Sequence, residues 1–236
     1  MGPPYDCRMA TIASDARDQQ VTRNAAGIGI AVGVYGVSFG VLAVAAGLTP
    51  LQACVMSMLT FTGASQFAFI SVLAAGGGAL AAMGPAVMLA TRNAAYGLAL
   101  APVMPRRLRD RAVMAQFVID ETTAMARSQE TPEQSRQAFV ATAVAVWVGW
   151  NIGTLIGVIA GGGIGDPKTY GLDAMFPAAF LALLGPQLRR PGAPTAAIAG
   201  AMIAIALVPF TPAGVPVIAA LVGLAPGVLL ARGVRR

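Results

Sequence analysis

Apolar residues run through this chain in long blocks, not at the alternating or every-third spacing of a soluble fold. Sixty-eight consecutive residues between Arg23 and Arg92 carry no formal charge. Two more uncharged stretches run from Gln137 to Gly165 and from Pro191 to Ala231. Soluble folds need charged surface between their buried elements. A hydrocarbon core about 30 Å thick takes roughly 20 apolar residues at ~1.5 Å each, so the first stretch alone holds two or three crossings. The pattern predicts an all-α, polytopic membrane bundle of about six to seven spans, with broken or re-entrant helices.

Full-length candidate spans are 27–47, 79–104, 137–163, 170–188, 193–210 and 213–231, with a further apolar run at 51–75. Thr49-Pro50-Leu51-Gln52 and Thr131-Pro132-Glu133-Gln134 each read as a Thr cap, a first-turn proline and a capping-box Gln. The helix leading into 137–163 therefore begins near Thr131. Gly149, Gly153, Gly157 and Gly161 form one face on which a second helix can approach closely, with Trp147, Trp150 and Asn151 nearby. Pro177, Pro209, Pro216 and Pro226 interrupt or bound the later spans.

Loop arginines set the topology. Arg106, Arg107, Arg109 and Arg111 mark one cytoplasmic loop, Arg189 and Arg190 a second, and Arg232, Arg235 and Arg236 a basic C-terminal tail. If the tail bearing Arg8, Arg17 and Arg23 also lies inside, an even number of crossings must precede residue 105. The favoured solution folds 51–75 as a broken hairpin that enters and leaves on one face, bent at Thr62-Gly63-Ala64-Ser65. The alternative has three crossings and an external tail. The chain then divides into a polar cytoplasmic tail at 1–24, one transmembrane domain at 25–231 and a basic tail at 232–236. Residues 1–24 are polar and the first apolar run is too long for a signal core, so no cleavable signal is expected. No internal sequence repeat is evident, although transporters often hide inverted repeats at the level of hydropathy.

Composition agrees with a membrane bundle: mean hydropathy is +0.70 and only 11% of residues are charged. A net charge of +6 would point to nucleic acid in a soluble domain, but here the arginines sit in loops and tails, and no basic patch is interleaved with aromatics. No nucleic-acid partner is expected. The absence of histidine excludes a His-based triad and any His metal site. Cys7 and Cys54 imply neither a disulfide nor a metal framework. No nucleophile–base pair is recognisable, so the chain is not expected to be an enzyme.

Three places carry candidate chemistry. Phe61-Thr62-Gly63-Ala64-Ser65-Gln66-Phe67 gathers Thr, Gly, Ser and Gln inside an apolar run. Glycine permits an unwound turn there, and Ser65 is positioned to cap a half-helix whose free N–H groups suit a carboxylate. The other reading is a continuous helix whose Ser and Gln bond to neighbours. Arg92, followed by Asn93 and Tyr96, stands far from any loop cluster, and a buried guanidinium needs a partner or a water-filled cavity. It is either a binding residue or a structural tie to backbone carbonyls or to Asp120 and Glu121. That acidic pair lies within 112–127, a segment too charged for an ordinary span. As a re-entrant or interfacial element it would hold carboxylates of raised pKa able to carry protons; as a solvated cytoplasmic helix it would not.

These residues resemble a known family. Tyr35-Gly36-Val37-Ser38-Phe39-Gly40 with Ala46-Gly47-Leu48-Thr49, the Gly63-Ala64-Ser65-Gln66-Phe67 segment, Arg92-Asn93-Ala94-Ala95-Tyr96-Gly97, Asp120-Glu121-Thr122 and Phe180–Leu188 are similar, in order, to the AzlC-type large subunit of two-component branched-chain amino acid exporters. The chain departs from the family's Asn-x-Arg-His-x-x-Tyr-Gly pattern, with Ala90 for Asn and Asn93 for His. The resemblance implies an alternating-access exporter subunit in the bacterial inner membrane. It also implies a small four-helix AzlD-type partner, apolar amino acids as substrates, and no enzymatic activity or organic cofactor. The expected substrate-binding residues are Thr62, Gly63, Ala64, Ser65, Gln66, Arg92, Asn93 and Tyr96, with Asp120 and Glu121 as proton carriers. A passive channel subunit is the alternative.

The arginine pattern makes a direct prediction. Reporters fused after Arg111 and after Arg236 should both read cytoplasmic, and a periplasmic signal at either overturns the assignment.

Overall fold

A computed structural model describes residues 4–164, scattered positions between 169 and 185, and residues 187–234. The candidate span 170–188 falls largely outside the described residues. Helix α1 spans Pro4–Ala45. The polar N-terminal segment is thus helical and continuous with the first span, because no Gly or Pro interrupts it between Pro4 and Gly27. Helix α7 spans Pro132–Ile164 and begins at the expected Thr131, whose hydroxyl accepts from the Gln134 N–H at 3.3 Å.

Glycines bring α1 and α7 together. Gly29 lies on Ala145, Gly33 on Gly149, Gly40 on Thr154 and Val158, and Gly161 on Val41. Side chains at Gly149, Gly153 or Gly157 would overlap the carbonyls of Gly29, Gly33 or Val37. The four-residue glycine stripe is therefore a packing face, as its spacing suggests. Because residue numbers rise together on both helices, α1 and α7 are parallel. The chain between them must make a net single crossing.

Helix α4, Ala79–Leu100, makes that crossing; its 22 residues reach about 33 Å. Its last residue, Leu100, packs with Phe139 and Ala143 near the start of α7, while Ala81 and Gly84 at its other end meet Gly214 and Ile218. Helices α2 (Pro50–Thr60) and α3 (Gly63–Ala74) are half-spans of roughly 17 Å each. The predicted capping box starts α2: Thr49 Oγ1 accepts from the Gln52 N–H at 3.2 Å, and Gln52 Oε1 accepts from the Thr49 N–H at 2.8 Å. α2 and α3 fold against each other, since the Gln66 side-chain amide donates to the Met56 carbonyl at 2.7 Å and to Thr60 Oγ1 at 3.0 Å. A continuous helix would hold residues 56 and 66 about 15 Å apart. The broken hairpin is the observed arrangement, with its bend at Phe61-Thr62, just ahead of the expected Thr62–Ser65. Left-handed Gly47 and Gly76 end α1 and α3 and turn the chain on one face.

A second hairpin enters from the opposite face. Helices α5 (Leu108–Gln116) and α6 (Asp120–Arg127) are too short to span. Met114 on α5 and Ala126 on α6 share the Leu100–Phe139 cluster, whereas Ile119 at the bend reaches Val146 and Trp150. Segment 112–127 is therefore re-entrant and not a solvated cytoplasmic helix. The hairpins meet tip to tip: Phe61 and Phe117 lie edge to face at 5.5 Å, and the Gln116 side-chain amide donates to the Leu59 carbonyl. Helix α8 (Ala193–Leu207) runs antiparallel to α9 (Val215–Ala219) and α10 (Leu224–Val234), with Gly200 on Ala220 and Gly192 on Gly227. Pro209 follows α8 and Pro216 stands in the first turn of α9, while Pro226 lies within the helical run Val215–Gly233, just after the 3₁₀ turn Ala220–Gly223 that separates α9 from α10.

One organisation emerges that hydropathy does not display. A long helix followed by two half-helices occurs twice, as α1–α3 and α4–α6, in opposite orientations. Arg17–Ala45, Pro132–Gly163 and Val215–Gly233 are long and apolar enough to cross a membrane by composition alone, while Arg92 and Asn93 dilute α4.

The α1–α7 contact generates a stability prediction. Gly157→Leu should destabilise the detergent-solubilised protein by about 1–3 kcal/mol or more, since Val37's backbone cannot yield as a side chain would. Ile159→Leu, on the exposed face of the same helix, should leave the melting temperature unchanged.

Candidate functional site

Where the two hairpin tips meet α1, α4 and α7, the structure leaves a cavity of about 80 Å³. Three of its walls come from the segments singled out above: Thr62, Gly63 and Ala64; Arg92; and Asp120 with Glu121. They are more than fifty residues apart at the extremes and are brought together only by the second hairpin rising to meet the first.

The α3 side presents donors. Thr62 is the N-cap, in a non-helical conformation (φ −146°, ψ 89°), and its side chain makes no capping bond. The first helical bond is from the Gln66 N–H to the Thr62 carbonyl, at 3.1 Å. The N–H groups of Gly63, Ala64 and Ser65 therefore lack helical acceptors, as in any first turn. Ser65 is the third residue of α3 and not its cap; its hydroxyl lies 3.3 Å from that of Thr62. Gln66 is fully buried and lies outside the cavity, its amide tying α3 back to α2. Gly63 is needed for closeness rather than for unusual backbone angles, because a Cβ there would come within 3.2 Å of the Trp150 ring.

The opposite side presents charge. Arg92 Nη2 lies 2.7 Å from Asp120 Oδ2, with 31% of the first side chain and 26% of the second exposed. Tyr96, one turn further on α4, does not line the cavity and packs against the Leu100–Phe139 cluster. Asn93 does not line the cavity; its Oδ1 is buried without a partner. Asp120 and Glu121 occupy the first turn of α6, where their charges complement the helix dipole. The Thr122 hydroxyl holds the tip by donating to the Phe117 carbonyl at 2.7 Å. Arg92 pairs with Asp120 and not with Glu121. Two carboxyl groups thus line the cavity beside one guanidinium, and Glu121 makes no ion pair among the described residues.

The remaining walls are apolar and were not anticipated from the sequence. Tyr35 on α1 and Trp150 on α7 close the cavity, and Trp150 stacks on Phe39 at 5.5 Å and 27°. Trp150 is 3% exposed, and its indole N–H has no hydrogen-bond partner among the described residues. The only sequence signal was its place beside the glycine stripe, which reads as packing. Among the described residues no group of Cys, Asp and Glu is arranged to hold a metal.

The two repeats line the cavity in matching register. Tyr35 and Arg92 stand equally far ahead of the two N-caps, Thr62 and Ile119; Gly63 corresponds to Asp120 and Ala64 to Glu121. All of these residues face the cavity.

Comparison with known proteins agrees with the residue pattern. The family model described as AzlC protein matches residues 27–164, which include both hairpins and every candidate residue. The chain is 30% identical over 180 residues to the inner membrane protein YgaZ of Escherichia coli (strain K12), and 33% identical over 171 residues to an uncharacterized membrane protein of Archaeoglobus fulgidus. Each alignment covers 72% of this chain and 74% of the relative. No solved structure matches.

The Arg92–Asp120 pair is testable by reciprocity. A lone charge at this depth costs about 2.5–3.5 kcal/mol on insertion scales, and a pair costs much less. Arg92→Ala and Asp120→Ala should each lower the yield of folded, membrane-inserted protein. The double variant should recover most of that yield in fluorescence-detected size exclusion; no recovery would mean that the charges act separately.

Proposed function

This chain belongs to the AzlC family of membrane proteins, and we propose that it is the large subunit of an inner-membrane exporter of apolar amino acids. The observation that supports this reading is the bipolar cavity: uncapped N–H groups of α3 on one side, a carboxyl group that makes no ion pair among the described residues on the other, and aliphatic and aromatic walls between. An amino acid zwitterion has the complementary order of charges. Its carboxylate meets the first turn of α3 at Gly63 and Ala64, its ammonium meets Glu121, and its side chain lies against Val32, Phe61 and Val146.

The same geometry supports coupling to protons. Arg92 satisfies Asp120, so Glu121 is left to hold one further positive charge. An ammonium or a proton serves, and each excludes the other. Exclusive occupancy of one carboxylate is the minimal requirement for exchanging an outgoing amino acid against an incoming proton by alternating access. The exporter is expected to work with a small AzlD-type membrane subunit. A passive pore is disfavoured by the cavity, which is bounded by both hairpins and offers no continuous polar wall.

Efflux of labelled leucine, valine and isoleucine from cells carrying this chain with its small partner tests the reading. Efflux should saturate and should collapse with an uncoupler; flux indifferent to uncoupler would identify a channel. Glu121→Gln should abolish gradient-driven efflux while counterflow exchange persists at higher substrate concentration, and retained gradient-driven efflux would remove Glu121 from the coupling step.

A further inference from the structure

We propose that a second cavity, between α3, α4 and the loop joining α8 to α9, is an outer subsite that takes the apolar side chain of the amino acid as it leaves the central cavity; this rests on the amino acid reading of that cavity.

Helices α3 and α4 line both cavities with the same faces. On α3, Ala64 borders the central cavity, while Ala68, Ser71 and Ala75 border the second. At about 100° per residue these four positions fall within about 60° of one another around the helix axis. On α4, Arg92 borders the first cavity, and Leu89 and Pro85 border the second, again within about 60°. A single helical turn, roughly 5–6 Å, separates the two spaces along each helix. The α3 residue at that step is Ala68, 6% exposed, which projects only a methyl group.

The second cavity measures about 660 Å³, within the range that holds a small molecule whole. Its far end lies at loops and not in mid-membrane: it reaches Ala75, where α3 has ended, and Thr211 and Ala213, which follow α8. That loop closes directly on α4. Pro85 has no N–H to offer the Ala81 carbonyl, and the Gly214 backbone lies against this oxygen, where a Cβ would come within 2.9 Å. The mouth faces away from the Arg106–Arg111 loop, because α4 begins beside the mouth and ends at that loop. An exporter releases its load on this face.

The walls suit a hydrocarbon side chain. Ser71 and Thr211, the two hydroxyl residues among them, donate to the carbonyls of Phe67 at 2.7 Å and Leu207 at 2.9 Å. Among the described residues none that lines the cavity is charged. It therefore cannot replace the charged partners of the zwitterion, whose head group stays hydrated at the mouth while its side chain rests on Val72, Leu89 and Val217. A lipid acyl chain would suit the same walls. Continuity with the central cavity and a mouth formed by loops favour the amino acid.

Cys7→Ser with Cys54→Ser removes both native thiols. In that background Leu89→Cys and Val87→Cys lie at the same depth on opposite sides of α4, and Val87, 53% exposed, is outside the cavity. A membrane-impermeant methanethiosulfonate added outside cells that carry the chain and its small partner should modify Leu89→Cys at least tenfold faster than Val87→Cys. Saturating leucine should slow that reaction. Equal rates would mean a lipid-filled groove and would overturn the outer subsite. Ala68→Phe should cut leucine efflux at least tenfold, with leucine affinity by calorimetry and melting temperature as in the parental protein. Undiminished efflux overturns the subsite and leaves the amino acid reading standing. The thiol rates decide alone if Ala68→Phe does not fold. No leucine efflux by the parental protein overturns both.

Discussion

Hydrocarbon offers no partner to a peptide group, so a helix interrupted inside a bilayer persists only where protein or water takes up the freed donors and acceptors. This chain interrupts two helical excursions, at Phe61-Thr62 and at Phe117–Ile119, and answers each with the other. The Gln116 side chain from the second tip reaches the Leu59 carbonyl of the first. Gln66 and Thr122 close the carbonyls of Met56 and Phe117 within their own hairpins. Neither tip is sustainable alone, because each would present open peptide groups to lipid. Close approach of α1 and α7 through facing glycines and small residues is what makes room for both, placing Phe39 and Trp150 behind the junction. Among the described residues, two cavity-lining side chains, Arg92 and Trp150, each keep one buried nitrogen without a hydrogen-bond partner.

The two halves share a backbone plan but not a chemistry. Opposed half-helices whose N-termini converge would repel if both were left bare, since each carries the positive end of a dipole. Acidic residues at the start of α6 resolve this for one half, and Arg92 then balances one of the two acids. The result is a site with direction: free N–H donors at α3, carboxyl groups at α6. A site built from identical halves would have no such polarity and could not orient a zwitterion.

Much of this was legible in the sequence, and the reasons are specific. Charge-free blocks and loop arginines reveal a membrane bundle because the bilayer penalises charge so heavily. With the N-terminal tail inside, parity of the arginine loops favours a hairpin at 51–75 over three crossings, and the hairpin is the arrangement observed. The polar residues at 62–66, Arg92 and the acidic pair stand out because each is costly in lipid unless employed. What stayed hidden is pairwise: that the glycine stripe of α7 receives α1 in parallel, and that Trp150 on its flank closes a cavity. An aromatic on an apolar helix is chemically ordinary until its N–H is found without a partner. The repeat was invisible because matching positions, Gly63 with Asp120 and Tyr35 with Arg92, differ in residue type. Ser65 was read as a cap because Ser is a preferred one, yet the hairpin bends earlier, and Thr62 takes the position.

The arrangement also constrains how the cavity can open. Hairpin α2–α3 lies between the cavity and one face of the membrane, and hairpin α5–α6 lies between it and the other. Arg92 and Asp120 belong to the same repeat, so their ion pair travels with α4 and α6 and need not break during a rocking motion. A ligand is different. With its carboxylate on α3 and its ammonium on Glu121, as proposed above, it would bridge the two repeats, which otherwise meet through an aromatic edge and a glutamine side chain. In the same proposal a proton on Glu121 would neutralise that carboxylate but form no bridge to α3. The two occupants therefore present the hairpin junction with different mechanical states, tied or untied, and a difference in free energy between conformations is what any coupled exchange requires.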